Sequence, residues 1–495
     1  MTTIDLPLVI GGRVIRGDED RPRHVIEYET GASVTIPVVT DAEVDAMRSA
    51  ERYALGTLTL QEILAFVLRV GQFWRNQAHT NPLYEEAIAS LCAINGYDRK
   101  MAVREMNLIG SAWANLPGLY DMVELELGNR LYLDEWIPRG DALVHTQPVG
   151  NLAHIMVGNV PVSGVMSILR GILTKNATIA KLPKRDPITT TYLALSMILA
   201  DPEHPVTRSM NVMYWVGGEG VEDEVLALAD VVCVWGGREA VAGIKSKMTT
   251  QLDCVVFGPK TSYAVIGREA APLRRTALDL VHDVSLYDQE ACFCPQVAFV
   301  EGDVDALVGN AVEAFRLYSR MLPKAFVGID TSARVTRTQL EAHFQGNYVY
   351  HDADKEWTVI VVDALADINE HPLSRTLFVV PVQDIAEVLD HVDPDIQTIA
   401  IAPWDRNVEI RDRATLQGAA KMTALGLVAA MRNGATHDYI YPMQRYVRWV
   451  CVERGPEYWG KFIYQGPVDS SRFLMQDTAN PEDLDAYLAG AGPGR

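Results

Sequence analysis

The stretch Leu152-Ala153-His154-Ile155-Met156-Val157-Gly158-Asn159-Val160-Pro161 decides the fold. An apolar run reaches a Gly-Asn corner, and Pro161 then stands where the first turn of a helix can do without an N–H. That is a strand handing over to a helix, and the pattern repeats. Strand-like segments fall at 152–157, 177–182, 211–216, 231–235 and 254–257. Helical segments separate them at about 161–174, 188–200, 220–229 and 237–248. Apolar strands alternating with helices predict a parallel sheet covered on both faces. Ligands of such sheets bind beyond the strand C-terminal ends. Here those ends carry Gly158-Asn159, Gly217-Gly218 and Gly236-Gly237, which together predict a nucleotide crevice.

Upstream, residues 1 to about 40 read as short strands with turns at Gly11-Gly12 and Gly31. From Thr40 to about Asn129 the pattern is helical. Thr40 with Glu43, and Thr59 with Glu62, have capping-box spacing, and Asn81-Pro82 marks a helix start. Residues 131–147 alternate around Pro138-Arg139-Gly140 as an exposed hairpin does. Downstream, a second α/β region begins at about 261, with a helix at about 270–282, a cysteine loop, a strand at 297–300 and a helix at 303–320. Further strands are expected at 357–363, 376–382 and 397–402; residues 446–475 return to strand-like sequence, and the tail is polar and Gly-rich.

The 495 residues suffice for two or three domains with full cores. A formal net charge of −20 argues against nucleic acid and against anionic membrane surfaces. Any phosphate-bearing ligand must therefore be held by a local basic cluster. Six scattered cysteines are too few for a disulfide framework and fit reduced thiols. The N-terminus lacks a signal-peptide pattern, and no apolar run approaches the roughly 18 residues of a membrane span. The expectation is a soluble cytoplasmic protein.

The chemistry concentrates at Asp288-Gln289-Glu290-Ala291-Cys292-Phe293-Cys294-Pro295-Gln296. A thiol at the mouth of a strand is reachable by substrate, although the same pattern suits an inert, half-buried cysteine. Asn159 either caps the following helix or donates to an oxygen that gains charge in acyl chemistry. Lys181 and Lys184, separated by Pro183, either hold ribose or phosphate oxygens or face water. Gly236-Gly237 is either a pyrophosphate turn at a helix N-terminus or a plain tight turn, and Arg238 beside it either adds charge for the cofactor or faces water.

Taken in order, Gly158-Asn159-Val160-Pro161, Arg170-Gly171, Leu173-Thr174-Lys175-Asn176, Phe257-Gly258-Pro259-Lys260-Thr261-Ser262 and Gln289-Glu290-Ala291-Cys292 resemble the fatty acyl-CoA reductases of bacterial bioluminescence (LuxC-like proteins), within the aldehyde dehydrogenase superfamily. The resemblance covers roughly residues 145 to 450. It implies Cys292 as nucleophile, Asn159 as oxyanion donor, Lys181 as a ribose or phosphate ligand and Gly236-Gly237 as the pyrophosphate turn; Gly217, at its strand end, is expected to contact the cofactor as well. Glu370 falls where the superfamily holds the nicotinamide ribose, and Cys294 is expected to be structural. Two departures are informative. Val256 stands where hydrolytic members keep a general base, so an acyl-cysteine should resist water. Lys184 stands where NAD users often have Glu, which favours the 2′-phosphate of NADPH.

The expected fold is therefore α/β of the aldehyde dehydrogenase type: two doubly wound α/β domains plus a small β oligomerisation element. Residues 1–130 and 148–260 would bind NADP(H), 261–445 would carry the nucleophilic cysteine, 131–147 with 446–475 would pair between subunits, and 476–495 would form a tail. The expected reaction is NADPH-dependent reduction of an acyl thioester, on CoA or a carrier, to aldehyde, without a metal. The alternatives are an acylating NAD(P)-dependent aldehyde dehydrogenase and an idle core of an acyl-transfer complex. A homo-oligomer, dimer or tetramer, and an acyl-protein synthetase are the expected partners.

Overall fold

The computed structural model describes residues 2–75, 81–140, 142–368 and 370–453, with Ala486, Ala489 and Gly490 of the tail. The chain divides into two compact units, residues 1–130 with 148–447 and residues 131–147 with 448–495.

The larger unit opens with β1 (Thr3–Asp5), β2 (Leu8–Ile10), β3 (Arg13–Ile15), β4 (Arg23–Glu27) and β5 (Ser33–Pro37). The turns expected at Gly11-Gly12 and Gly31 are present, all three glycines having positive φ. Five helices follow: α1 (Asp41–Ser49), α2 (Leu60–Arg75), α3 (Tyr84–Asn95), α4 (Arg99–Trp113) and α5 (Leu116–Leu127). Both capping boxes form, with Thr40 N–H donating to Glu43 Oε2 at 2.8 Å and Thr59 N–H to Glu62 Oε2 at 2.7 Å. Asn81 Oδ1 accepts from Leu83 N–H at 3.0 Å, just ahead of α3.

The βα run then appears as β8 (Asn151–Ile155), α6 (Pro161–Leu173), β9 (Ala177–Lys181), α7 (Ile188–Ala200), α8 (Pro205–Arg208), β10 (Met210–Met213), α9 (Gly220–Leu228), β11 (Val231–Trp235), α10 (Arg238–Lys245) and β12 (Asp253–Phe257). Its sheet has the order β12-β11-β8-β9-β10-β2-β3. The five strands from β12 to β10 are parallel, and β2 joins β10 antiparallel. Helices α6 and α7 are largely buried against it, which is why they carry so few charges.

A second sheet is built from β13 (Thr261–Ile266), β14 (Val297–Glu301), β15 (Tyr348–His351), β16 (Thr358–Val361), β17 (Thr376–Val382), β18 (Ile396–Ala402) and β19 (Lys421–Ala424). The order is β15-β16-β17-β14-β13-β18-β19, with only β15 antiparallel. Its helices are α11 (Arg274–Ser285), α12 (Val304–Met321), α13 (Ile329–Phe344) and α14 (Asn407–Gln417). One face packs Ala264, Ala298 and Ala400 on α11, α12 and the cysteine loop; the other packs Tyr263, Phe299 and Ile399 on Ile385, Leu389 and Ile410. Sequence patterning missed β13 and β19, which start with polar Thr261-Ser262 and Lys421, and it missed α13 and α14, whose residues are mostly polar.

The smaller unit contains the sheet β20-β7-β6, from β6 (Ile137–Arg139), β7 (Ala142–Pro148) and β20 (Val447–Glu453). The hairpin expected around Pro138-Arg139-Gly140 is present, with Ile137 opposite Val144. Tyr132 meets Trp449 edge to face at 5.1 Å. The rest of the expected 446–475 segment, and most of 476–495, lie outside the described residues.

Candidate active site

The chain runs from β8 outward through β9 to β10, then returns to β11 and β12 on the other side of β8. The strand order therefore reverses between β8 and β11, the place where doubly wound sheets hold ligands. Register places Val256, Val234, Ile155, Lys181 and Met213 in one row across the C-terminal edge. Beyond that row, Gly158-Asn159 leaves β8 and Gly236-Gly237 leaves β11. Gly158 is needed for close approach, since a Cβ there would sit 2.7 Å from Asp186 N and 2.8 Å from Arg185 Cβ. At Gly237 a Cβ would meet nothing within 4 Å. Gly237 precedes α10 with no side-chain cap, so free N–H groups and the positive end of the helix stand uncovered there.

Lys181 ends β9 half-buried, with Nζ 5.6 Å from the Trp215 ring and 5.9 Å from the Tyr214 ring. Burial lowers its pKa, opposed by Glu222 and Glu219. Lys184 is exposed, its carbonyl accepting from Tyr28 Oη–H at 2.7 Å. Gly217 is exposed in the turn after β10. Arg238 is exposed and pairs with Asp395 at 3.3 Å, and Glu370 is exposed and pairs with Arg337 at 2.5 Å. Lys181, Gly236 and Gly237 thus share one edge. Arg238 and Glu370 are engaged in surface ion pairs.

Asn159 does not cap α6, whose N-cap is Val160. Its Nδ2 donates instead to the Glu290 carbonyl at 2.7 Å, which ties the β8 corner to the cysteine loop. Arg185, next to Lys184, reaches the same residue through an ion pair with the Glu290 carboxylate. Asn159 Oδ1 is buried without a partner among the described residues.

From the other side the loop is clamped by buried side chains. Tyr287, Asp288 and Gln289 are consecutive residues with φ of 50°, 50° and 70°, and they meet a second such run, Leu373, Ser374 and Arg375, at 59°, 60° and 56°. Non-glycine residues rarely adopt this region, and such strain persists only where surroundings impose it. Gln289 imposes it by donating Nε2–H to Pro295 O at 2.8 Å and Thr376 O at 2.7 Å while accepting Thr376 N–H at 2.8 Å. Asp288 accepts from Arg375 Nε at 2.7 Å, with Arg375 1% exposed. In sequence, Asp288 and Gln289 show no sign of this role. Their partners lie 87 residues away, a separation no local pattern exposes.

Cys292 is half-buried, its carbonyl accepting from Ser262 Oγ–H at 2.7 Å. Burial pushes its thiol up to about 11, with Asp438 adding to the rise and Gln397 opposing it. Gln397 Nε2 in turn donates to Asp438 Oδ1 at 3.1 Å. Cys294 is fully buried, its Sγ–H donating to Leu286 O at 3.2 Å, a packing position. A cavity of about 310 Å³ backs the loop, lined by Tyr287, Asp288, Glu290, Arg185, Lys324 and Ser374 among others. Cys292 does not line it.

A doubly wound sheet with glycine corners, facing a clamped cysteine loop, defines the aldehyde dehydrogenase type of fold. A salicylaldehyde dehydrogenase from Pseudomonas putida G7, solved with salicylaldehyde, superposes with a TM-score of 0.73 at 14% identity, over 94% of this chain and 100% of that one. An NADP-dependent glyceraldehyde-3-phosphate dehydrogenase from Bacillus halodurans C-125, complexed with NADP, gives 0.69 at 16% identity, over 91% and 99%.

Within that class, residues 55–449 match the model of the acyl-CoA reductase (LuxC) family, and the chain belongs to that family of oxidoreductases. Long-chain acyl-protein thioester reductases are similar along almost their whole length. That of Photobacterium phosphoreum is 34% identical over 95% of this chain and 96% of its own, and that of Photorhabdus luminescens is 35% identical over 95% and 98%. No single helix among the described residues is long and apolar enough to cross a membrane.

Proposed function

We propose that this protein reduces a long-chain acyl thioester to the aldehyde through an acyl-Cys292 intermediate, with NADPH as reductant. The observation that carries the reading is the 2.7 Å hydrogen bond from Asn159 to the Glu290 carbonyl, two residues before the thiol. One Nδ2–H is spent on that carbonyl, and the other is free to meet an oxyanion formed at Cys292. The Cys292 backbone N–H is the second donor.

The half-buried Lys181, the uncapped helix start at Gly237 and the unpartnered Asn159 Oδ1 fit a nicotinamide dinucleotide laid along this edge. Lys181, Gly217, Gly236 and Gly237 would hold it, with Lys184 and Arg238 toward the 2′-phosphate and Glu370 toward the ribose. The bound cofactor supplies the hydride. Val256, in register within an apolar strand edge, offers no base for water, so the acyl-cysteine waits for reduction rather than hydrolysing.

The names of the relatives support an acyl chain carried on a protein thiol, and with it an acyl-protein synthetase as donor; the family description supports CoA as a second carrier. Exposed Trp449 and Val452 on β20 support pairing of the smaller unit with another copy. The cytoplasm, with its reducing poise, suits six free thiols.

The test is to add tetradecanoyl-CoA without cofactor. About one equivalent of CoA should be released per active site before the reaction nearly stops, and NADPH should restart it with aldehyde as product. Continuous release of CoA and free acid without cofactor would show a thioesterase instead.

A further inference from the structure

A half-buried thiol held near 11 must lose its proton to attack an acyl carbon, and Val256 is no base. The acceptor is therefore to be sought on the face of the second sheet that carries Cys292. Ser262 of β13, Thr398 of β18 and Lys421 of β19 are direct partners in neighbouring parallel strands. Residues directly opposite in a sheet point to the same face. Ser262 marks that face by donating to Cys292 O, and Thr398 N–H donates to Ser262 Oγ at 3.1 Å. Lys421 alternates with Met422, which packs on the opposite core with Ile399, while Leu425 packs with Phe293 and Cys294. Lys421 thus belongs to the row of Ser262. Two strand spacings put their Cα atoms about 10 Å apart, a span that a four-carbon stem largely covers.

We propose that Lys421 is the proton partner of Cys292, accepting the thiol proton as sulfur attacks and returning it to the departing carrier thiolate. The proposal rests on the reading of Cys292 as nucleophile. The neutral amine takes the proton from S–H as the new S–C bond forms. The bond from the acyl carbon to the carrier sulfur then breaks, and the ammonium protonates that sulfur. Acyl transfer is proton-neutral overall.

The surroundings leave Lys421 the role. Its Nζ donates to Val428 O at 2.9 Å, which fixes it and leaves the neutral amine one further N–H and a lone pair for the thiol proton. Burial lowers its pKa, while Asp283 and then Cys292 oppose the fall, so it shares the field of the thiol. Among the other charged groups there, Asp283, held up to about 7, accepts from Gly426 N–H at 2.6 Å and Val428 N–H at 3.4 Å. Asp438 is engaged by Gln397. His437, held down to about 4, lies with its ring 5.0 Å from those of Trp235 (tilted) and Phe257 (edge to face). Arg170 and Arg104 carry guanidinium groups, which offer no acceptor. Carboxylates and a depressed imidazole are too weak as bases for a thiol.

The test compares wild type with Lys421→Met, Lys421→Gln and Lys421→Arg. Two rates are followed against pH: the CoA burst from tetradecanoyl-CoA without cofactor, and alkylation of Cys292 by iodoacetamide. Met and Gln should slow the burst by about 100-fold and move the midpoint of alkylation to higher pH, because the thiolate loses the ammonium that forms beside it on proton transfer. Arg should restore the midpoint, since it restores charge, and leave the burst slow, since it cannot give up its proton. A normal burst in folded Met or Gln variants overturns the proposal, as does full rescue of the burst by Arg. If wild type itself gives no burst and labels no Cys292, the nucleophile reading fails instead, whatever the variants do.

Discussion

The two sides of this site are built by opposite means. The edge of the first sheet is a backbone device: a glycine corner, an uncapped helix start and one half-buried lysine leave room for a ligand. The cysteine loop on the second sheet is a side-chain device, in which Gln289, Asp288 and Arg375 hold two runs of left-handed residues against each other. A ligand with many oxygens is best met by N–H groups on a fixed frame. A nucleophile must instead be aimed to within fractions of an ångström, which takes packing from all sides. The first side should therefore tolerate substitution with local loss of binding, and the second should lose its geometry.

The strongest test of that contrast is Cys292→Ser, which should abolish reduction and leave dinucleotide binding intact by fluorescence titration. Cys294→Ser, at a packing position, should keep substantial activity. Loss of nucleotide binding in the first variant would mean the two sides are one cooperative device.

Arg375→Met should come next. It leaves Asp288 buried without its partner, and breaking such a pair costs about 3–5 kcal/mol. Denaturant unfolding should record the loss, with labelling of Cys292 disordered in parallel. On the nucleotide side, Lys184→Glu should reduce the preference for NADPH over NADH by roughly ten- to a hundredfold in kcat/KM, the worth of one charge-assisted contact. An unchanged ratio would leave Lys184 the exposed lysine that it is in the free protein.

His154 brings a pH term to the nucleotide side. It is fully buried against Ser167, and burial drives its pKa from 6.5 to about 3. The unfolded chain therefore binds a proton that the native one refuses between those values. Stability is fully present above pH 6.5 and falls as pH drops toward 3, by about 1.4 kcal/mol per unit at most. Folded His154→Gln should flatten that acid limb in denaturant titrations. The smallest effect belongs to Gly237→Ala, for which the surrounding space is open. Stability should move by less than about 0.5 kcal/mol, with dinucleotide affinity carrying the larger change.

The sequence alone determined the alternation of strands and helices, the glycine corners at their ends, and the order of motifs that ties Asn159, Lys181 and Cys292 to one family. These are local quantities: apolar runs, turn residues and spacing along the chain leave their mark wherever the rest of the molecule goes. Strand β13 and edge strand β19 escaped because they open on polar residues: Ser262 holds the Cys292 carbonyl, and Lys421 stands in its row. Only the tertiary structure decided that Asn159 turns away from its own helix toward Glu290, that Asp288 and Gln289 are clamped by Arg375 and Thr376, and that Lys421 stands in the row of Ser262. Each of those facts is a contact between residues dozens to hundreds of positions apart. Such contacts are set by sheet register and core packing, which no window of the chain contains.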